Sequence, residues 1–182
     1  MNPRLPLLAT AALLASAALS FAAQPPLKPI PGKIDLQRYS GSWRLIAVMD
    51  NRLEHDFVDA QESYTMLPKN KVGVHLTYRD KSFTAPLQAK ELSATIVPDG
   101  TNTHWKLHVF PLISFDYVVI DLTKGYQVVT IANPSRSIGA ILARHRTISP
   151  AEFEHGVAAL KKQGYDTSKL IRLPQVPPKA KG

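Results

Sequence analysis

Residues 41–50 read GSWRLIAVMD, and the fold of this 182-residue chain can be worked out from this stretch. Its apolar residues alternate as in a β-strand, which puts one face together as Trp43, Leu45, Ala47 and Met49. At the other end of the strand pattern, Arg144 ends a last apolar segment. Trp43 and Arg144 can meet only if the sheet closes on itself. The sequence therefore predicts a small barrel with room for something apolar inside.

Short alternating segments separated by turn signals lie between these two residues. The predicted strands cover residues 42–50, 58–66, 72–78, part of 83–97, 104–109, 116–122, 126–132 and 138–144. Pro86 interrupts the fourth segment and belongs at an edge or a bend. The connections are of hairpin length, which favours an all-β, eight-stranded antiparallel up-and-down barrel over a Greek key. Eight strands can enclose one small ligand.

One helix follows the last strand, and both of its ends are signalled. Ser149 is the predicted N-cap, Pro150 fits the first helical position, and Glu152 completes a capping box. Phe153, Val157 and Leu160 form an apolar stripe, and Gly164 is a candidate left-handed C-cap. We expect this C-terminal helix to flank the barrel by packing on its outer wall. A short extended piece, residues 169–172, follows it.

The first 23 residues have the pattern of a signal peptide. Arg4 precedes a Leu- and Ala-rich stretch, and small residues allow cleavage after Ala22 or, preferably, Ala23. An uncleaved anchor is the alternative, although the apolar stretch is marginal for spanning a bilayer and contains Pro6. We expect an extended, poorly ordered Pro-rich linker at 24–33, the barrel domain with its helix at 34–175, and a flexible basic tail at 176–182.

Composition limits the possible partners and compartments. The chain carries a net charge of +8, which favours peripheral contact with an anionic membrane surface, although a solvated basic surface explains scattered charges equally well. No basic run interleaved with aromatics predicts a nucleic-acid groove, so no nucleic acid is expected. The absence of cysteine excludes thiolate chemistry and a bacterial lipoprotein anchor. These observations predict a periplasmic or secreted protein, soluble after signal-peptide cleavage and not a lipoprotein.

Four motifs in order resemble the lipocalin family, in the bacterial branch similar to the outer-membrane lipocalin and to apolipoprotein D. They are residues 35–43 with Gly41 and Trp43, residues 116–121 with Asp116-Tyr117, residues 141–149 with Arg144, and residues 163–171. The resemblance covers Ile34 to Gln175. It implies that Gly41, Trp43 and Arg144 close one end of the barrel, with the guanidinium stacked on the indole as a structural lock.

Strand parity, counted from an inward Trp43, and the resemblance together predict an apolar lumen suited to an acyl chain. Its predicted ligand-binding residues are Leu45, Ala47, Met49, Tyr64, Trp105, Leu107, Val109, Tyr117, Ala140 and Leu142. Core packing is the alternative for each residue singly. Two departures from the family bear on the ligand: Ala140 replaces a common aromatic, and residues 110–115 replace a Gly-rich aromatic loop. Glu62 could meet a polar head group, but the sequence does not determine which face of its strand it lies on.

No catalytic, metal or cofactor site is predicted. His104 and His108 are four residues apart, which on a strand is about 13 Å, too far to share one ion. No nucleophile elbow or metalloprotease motif appears. The sequence thus predicts an exported protein that holds a fatty acid, lysophospholipid or similar small hydrophobic ligand for transport or scavenging in the cell envelope. The alternatives are an interaction or surface module with a closed barrel, and a lipocalin-fold enzyme acting on a small lipid.

Overall fold

The computed structural model describes residues 25–110 and 113–178. The predicted signal peptide and the last residues of the predicted tail lie outside these ranges. The strands are β1 Gly41–Met49, β2 Phe57–Leu67, β3 Lys71–Asp80, β4 Gln88–Ile96, β5 His104–Phe110, β6 Ile113–Leu122, β7 Val128–Ala132, β8 Gly139–Ala143 and β9 Leu170–Arg172. The helices are α1 Leu36–Tyr39 and α2 Pro150–Lys162, and a 3₁₀ turn covers Thr167–Lys169. No helix within the described ranges is both long and apolar enough to cross a membrane.

Strands β1 to β8 form a closed antiparallel barrel, as predicted. Each strand from β2 to β7 pairs with the next one, β8 pairs with β1, and β1 pairs back with β2 through residues 41–44. The second half of β1 pairs instead with β9, where Val48 lies opposite Ile171. Strand β9 therefore covers the part of β1 that β2 leaves free.

A β-bulge in β1 overturns part of the predicted lumen. The register against β8 shifts between Leu45 and Ala47, and an extra residue moves every later side chain to the opposite face. Val48 thus packs in the interior with Leu45, whereas Ala47 and Met49 pack outside the barrel against Leu160 of α2. The prediction that Ala47 and Met49 line the lumen is wrong, because strict alternation does not survive the bulge.

A second bulge, in β2, determines where Glu62 points. The register against β3 shifts between Val58 and Gln61, and Asp59 adopts a left-handed backbone with φ 55°. The Asp59 carboxylate is an ion-pair partner of Arg44, 3.1 Å away, and of Arg146. Beyond this bulge Glu62 lies opposite Trp43 of β1, on the interior face.

Helix α2 packs on the outer wall formed by β6, β7 and β8, as predicted. Its capping box between Ser149 and Glu152 is present. Leu160, on the side of α2 that faces the barrel, is fully buried. Gly156 lets the helix approach the barrel wall closely, since a Cβ there would lie 2.8 Å from Ile141 Cδ1. Gly164 has φ +87°, the predicted left-handed conformation after the helix.

The segment before β1 makes backbone hydrogen bonds to the barrel and to the end of α2. In the leader, residues 25–33, the Ile30 amide donates to the Val119 carbonyl at 3.1 Å. The Lys28 backbone exchanges two hydrogen bonds with the Gln163 side chain, at 3.0 and 2.8 Å. These bonds hold Lys28 and Ile30 in place, and the extended, poorly ordered leader stays a prediction. The short helix α1 was not predicted, and its Tyr39 is fully buried.

Candidate ligand site in the barrel

One end of the barrel is closed by Arg144 and Trp43. The guanidinium carbon lies 3.8 Å from the centroid of the indole, and the guanidinium donates to the carbonyls of Ser42 at 2.8 Å and Arg38 at 2.6 Å. Gly41, beside the guanidinium, has φ +87°, a backbone conformation that residues with a side chain rarely adopt, so glycine is favoured at this position. The stack joins the start of β1 to the end of β8, which is the geometry that the resemblance implies.

Above this stack, five aromatic residues fill the lower half of the barrel. We call this set the aromatic floor; it consists of Tyr39, Trp43, Tyr64, Trp105 and Tyr117, all buried. Neighbouring ring centroids are between 5.1 and 6.1 Å apart. The Tyr117 hydroxyl is hydrogen-bonded to those of Tyr39 at 2.7 Å and Tyr64 at 3.0 Å. The floor therefore blocks the lumen from below and places hydroxyl groups inside it.

The upper half of the barrel contains a cavity of about 390 Å³. Its lining is mostly apolar and comprises Asn51, Leu53, Glu54, Phe57, Glu62, Leu76, Lys90, Leu92, Leu107, Val109, Phe115, Ser137 and Ile138. A smaller cavity of about 50 Å³ shares five of these residues and extends to Leu45, Tyr117, Ala140 and Leu142. A site of this size falls in the range of small-molecule pockets, and such pockets combine apolar walls with few polar groups.

The structure separates the ten predicted lumen residues into three groups. Cavity-lining residues are Leu45, Leu107, Val109, Tyr117, Ala140 and Leu142. Tyr64 and Trp105 lie in the aromatic floor, beneath the cavities. Ala47 and Met49 lie outside the barrel, for the reason given above.

Glu62 and Glu54 are the polar residues that both cavities share, and Glu62 is the one bonded to the aromatic floor. Its Oε2 accepts a hydrogen bond from the Tyr64 hydroxyl. Enclosure within the barrel removes water from the carboxylate and raises its pKa to about 7, although the bond from Tyr64 works in the opposite direction. Glu62 is therefore a carboxyl group that changes charge near neutral pH at the bottom of an apolar cavity.

The rim of the cavity carries one acid and one base that sequence reasoning missed. Glu54 lies in the loop between β1 and β2, where Asn51 Nδ2 donates to its Oε2 at 2.8 Å. Burial raises the pKa of Glu54, while the Asn51 bond and the charge of Lys90 act against the rise. Lys90 reaches the rim from β4, with its ammonium 5.2 Å from the Tyr78 ring centroid. A loop residue has no strand parity, so no periodic signal could have placed Glu54.

The histidines of β5 lie away from the cavities. His104 Nε2 is 2.5 Å from Asp116 Oδ1, and His108 bonds to Ser114 at 2.7 Å and to Thr95 at 3.0 Å. Across residues 25–110 and 113–178, no group of three or more acidic or histidine side chains is arranged to hold a metal ion.

Comparison with known proteins identifies the same architecture. A family model described as a lipocalin-like domain matches residues 34–175. Temperature-induced lipocalin-1 of Arabidopsis thaliana is 27% identical over 148 residues, which cover 78% of this chain and 80% of the relative. Outer membrane lipoprotein Blc of Escherichia coli K12 is 27% identical over 176 residues, or 94% and 97% of the two chains.

Solved structures agree with this fold. Insecticyanin of Manduca sexta superposes with a TM-score of 0.65 at 20% identity, covering 86% of this chain and 87% of the other. Lobster apocrustacyanin A1 superposes with a TM-score of 0.62 at 15% identity, covering 78% and 79%. At these identities the structures show the fold alone.

The bacterial relatives correct the expected location. The matching proteins from Citrobacter freundii, Escherichia coli and Vibrio cholerae are outer membrane lipoproteins. The prediction of a periplasmic or secreted protein without an anchor is therefore wrong. Export to the cell envelope agrees with the relatives, although this chain contains no cysteine.

Proposed function

Because the chain belongs to the lipocalin family, we propose that it holds a fatty acid, a lysophospholipid or a similar small amphiphile inside its barrel. Its role would be the transport or scavenging of lipids in the cell envelope. The observation that carries this proposal is the apolar cavity of about 390 Å³ above the aromatic floor. A cavity closed below and lined by Leu, Val, Ile and Phe side chains suits one alkyl chain.

The walls of the cavity supply affinity by removing alkyl groups from water. Each buried methylene contributes about 0.8 kcal/mol. Because the floor limits the depth of the cavity, we expect affinity to rise with chain length and then to level off when the chain fills the space. This levelling is a property of a closed lumen that an exposed apolar surface would not produce.

Native mass spectrometry of the purified protein, followed by displacement of a fluorescent fatty acid, tests the proposal. Leu107→Trp and Ala140→Trp each place an indole in a cavity and should weaken binding at least tenfold, which is about 1.4 kcal/mol. Leu87→Trp is the matched control, because Leu87 is 55% exposed and lines neither cavity. A folded protein that binds no amphiphile, or variants that bind as well as the wild type, would refute the proposal and favour a closed interaction module.

We further propose binding without catalysis, in a domain spanning residues 34–175 that is preceded by a signal peptide at 1–23 and a linker at 24–33 and followed by a basic tail at 176–182. Alkyl burial needs no nucleophile, metal or cofactor, and no nucleic acid is expected as a partner. An enzyme would convert its ligand, so a bound lipid recovered with its mass and its chemical structure unchanged after long incubation supports this proposal.

Contact with an anionic membrane surface is supported by a basic groove outside the barrel. Lys28, Arg136, Lys161 and Lys162 line this groove between the leader and α2, together with Asp121 and His155. Binding to anionic vesicles that is absent for zwitterionic vesicles and lost at high salt is the expected result. Equal sedimentation with both vesicle types would argue against an electrostatic contact.

A further inference from the structure

Glu62 offers the cavity an acceptor that the protein itself does not use. Its Oε2 accepts from the Tyr64 hydroxyl, and no described residue donates to Oε1. The side chain lines both cavities, so its unused oxygen belongs to the space that a ligand would occupy. A carboxyl group in an apolar enclosure is costly unless its hydrogen bonds are made.

No cation pairs with Glu62 among the described residues. The groups that face it are the Tyr64, Tyr117 and Tyr39 hydroxyls from the floor and Glu54 from the β1–β2 loop, with Asp116 lining the smaller cavity and Lys90 at the rim. Glu54 adds a second negative charge, which acts with burial to disfavour the ionised form of Glu62. The bottom of the cavity therefore favours positive charge and hydrogen-bond donors.

The chemical group at the buried end of a ligand determines how it interacts with the Glu62 carboxyl group, and three kinds can be compared. A methyl end would strip water from the carboxyl without replacing a hydrogen bond. A carboxylate end would meet a like charge. An ammonium or hydroxyl end would donate to Oε1, and an ammonium would also neutralise the charge.

We propose that Glu62 forms a polar subsite at the bottom of the lumen, which accepts a hydrogen bond from an ammonium or hydroxyl group at the buried end of an amphiphile. This inference rests on the proposed function, because it presumes that the cavity receives a ligand. It makes Glu62 a specificity-determining residue among amphiphiles of equal chain length.

A matched series of twelve-carbon probes tests the subsite: dodecylamine, dodecanol, dodecyl methyl ether and dodecanoate. Competition against a fluorescent probe measures each affinity for the wild type, Glu62→Gln and Glu62→Leu. In the wild type, the amine and the alcohol should bind at least about tenfold more tightly than the ether, the value of one good hydrogen bond to a charged group. Glu62→Leu should bind the ether best, and Glu62→Gln should keep the preference for the alcohol while losing the preference for the amine.

Long-range electrostatic attraction to the whole protein does not explain tighter binding of the amine, because the net charge of +8 repels the amine and attracts dodecanoate. Glu91→Gln is the control for a lost acid, since Glu91 lies exposed on β4 and lines neither cavity. This variant should keep the wild-type order of affinities. A variant that still binds the ether is folded, so a loss of preference cannot be ascribed to unfolding.

The pH dependence supplies an independent readout. Ionised Glu62 is the better partner for an ammonium, so amine affinity should rise several-fold between pH 6 and pH 8, while ether affinity should fall. Both trends should vanish in Glu62→Gln. If all probes bind the wild type equally, or if Glu62→Leu keeps the donor preference, the subsite is refuted and the lipid-binding function stands. If no probe binds at all, the proposed function itself fails.

Discussion

Replacement of Arg144 by lysine should weaken the closed end of the barrel while keeping its charge. The guanidinium donates to the carbonyls of Ser42, Arg38 and Tyr39 at 2.8, 2.6 and 3.2 Å and stacks on Trp43. A lysine ammonium carries its donors on one atom and has no flat face, so it cannot reach all three carbonyls and cover the indole together.

The expected cost follows from these contacts. A hydrogen bond from a charged donor contributes about 1.5–3 kcal/mol, and the stack contributes about 0.5–2 kcal/mol. Because the Arg144 side chain is partly accessible to solvent, water replaces some of the hydrogen bonds that the substitution removes. We expect Arg144→Lys to lower the free energy of unfolding by about 2–3 kcal/mol, which corresponds to about 5–10 °C in Tm for a domain of this size.

Urea and thermal unfolding, followed by far-UV circular dichroism and tryptophan fluorescence, measure this loss. Arg38→Lys is the matched control, because Arg38 stacks in the same way on Tyr126, at 4.1 Å, but lies on the surface. It should cost less than about 1 kcal/mol. Equal losses of unfolding free energy for the two variants would refute the idea that the planar Arg144 guanidinium, rather than its charge, joins the start of β1 to the end of β8.

Two further predictions concern the interior and the helix contact. The folded-state pKa of Glu62, about 7, lies above its ordinary value of 4.5, so its contribution to stability is fully present below pH 4.5 and is lost as the pH rises through 7. The loss of stability is roughly 3 kcal/mol. Glu62→Gln should therefore make the free energy of unfolding, measured by urea titration, nearly independent of pH between pH 5 and pH 8. The same pH dependence in the variant and the wild type would contradict this prediction. Gly156→Ala should lower stability by about 1–3 kcal/mol by forcing α2 from Ile141, whereas the exposed Ala151→Gly should cost about 1 kcal/mol or less in the same assay.

The closed barrel and its helix were predictable because their signals are local. Alternation marks strands, and the Ser149-Pro150-Glu152 pattern marks a helix start wherever it occurs in a chain. The pairing of Trp43 with Arg144 needed one long-range step, supplied by the requirement that a buried arginine find an aromatic face or acceptors. These features depend on residue type and spacing, which can be read from the amino-acid sequence alone.

The interior of the barrel depends on contacts that spacing does not encode. The bulge after Leu45 turned Ala47 and Met49 outwards, and no residue type in that stretch marks it, because a bulge is a mismatch between two strands. Glu62 could be placed only once the β2 bulge was known. The volume of the cavity is what remains after side chains from different strands have packed, and the buried Tyr39, from a helix too short to be signalled by periodicity, takes part of that space. Strand number and closure therefore follow from local pattern, whereas the depth and polarity of the lumen follow from packing across the barrel.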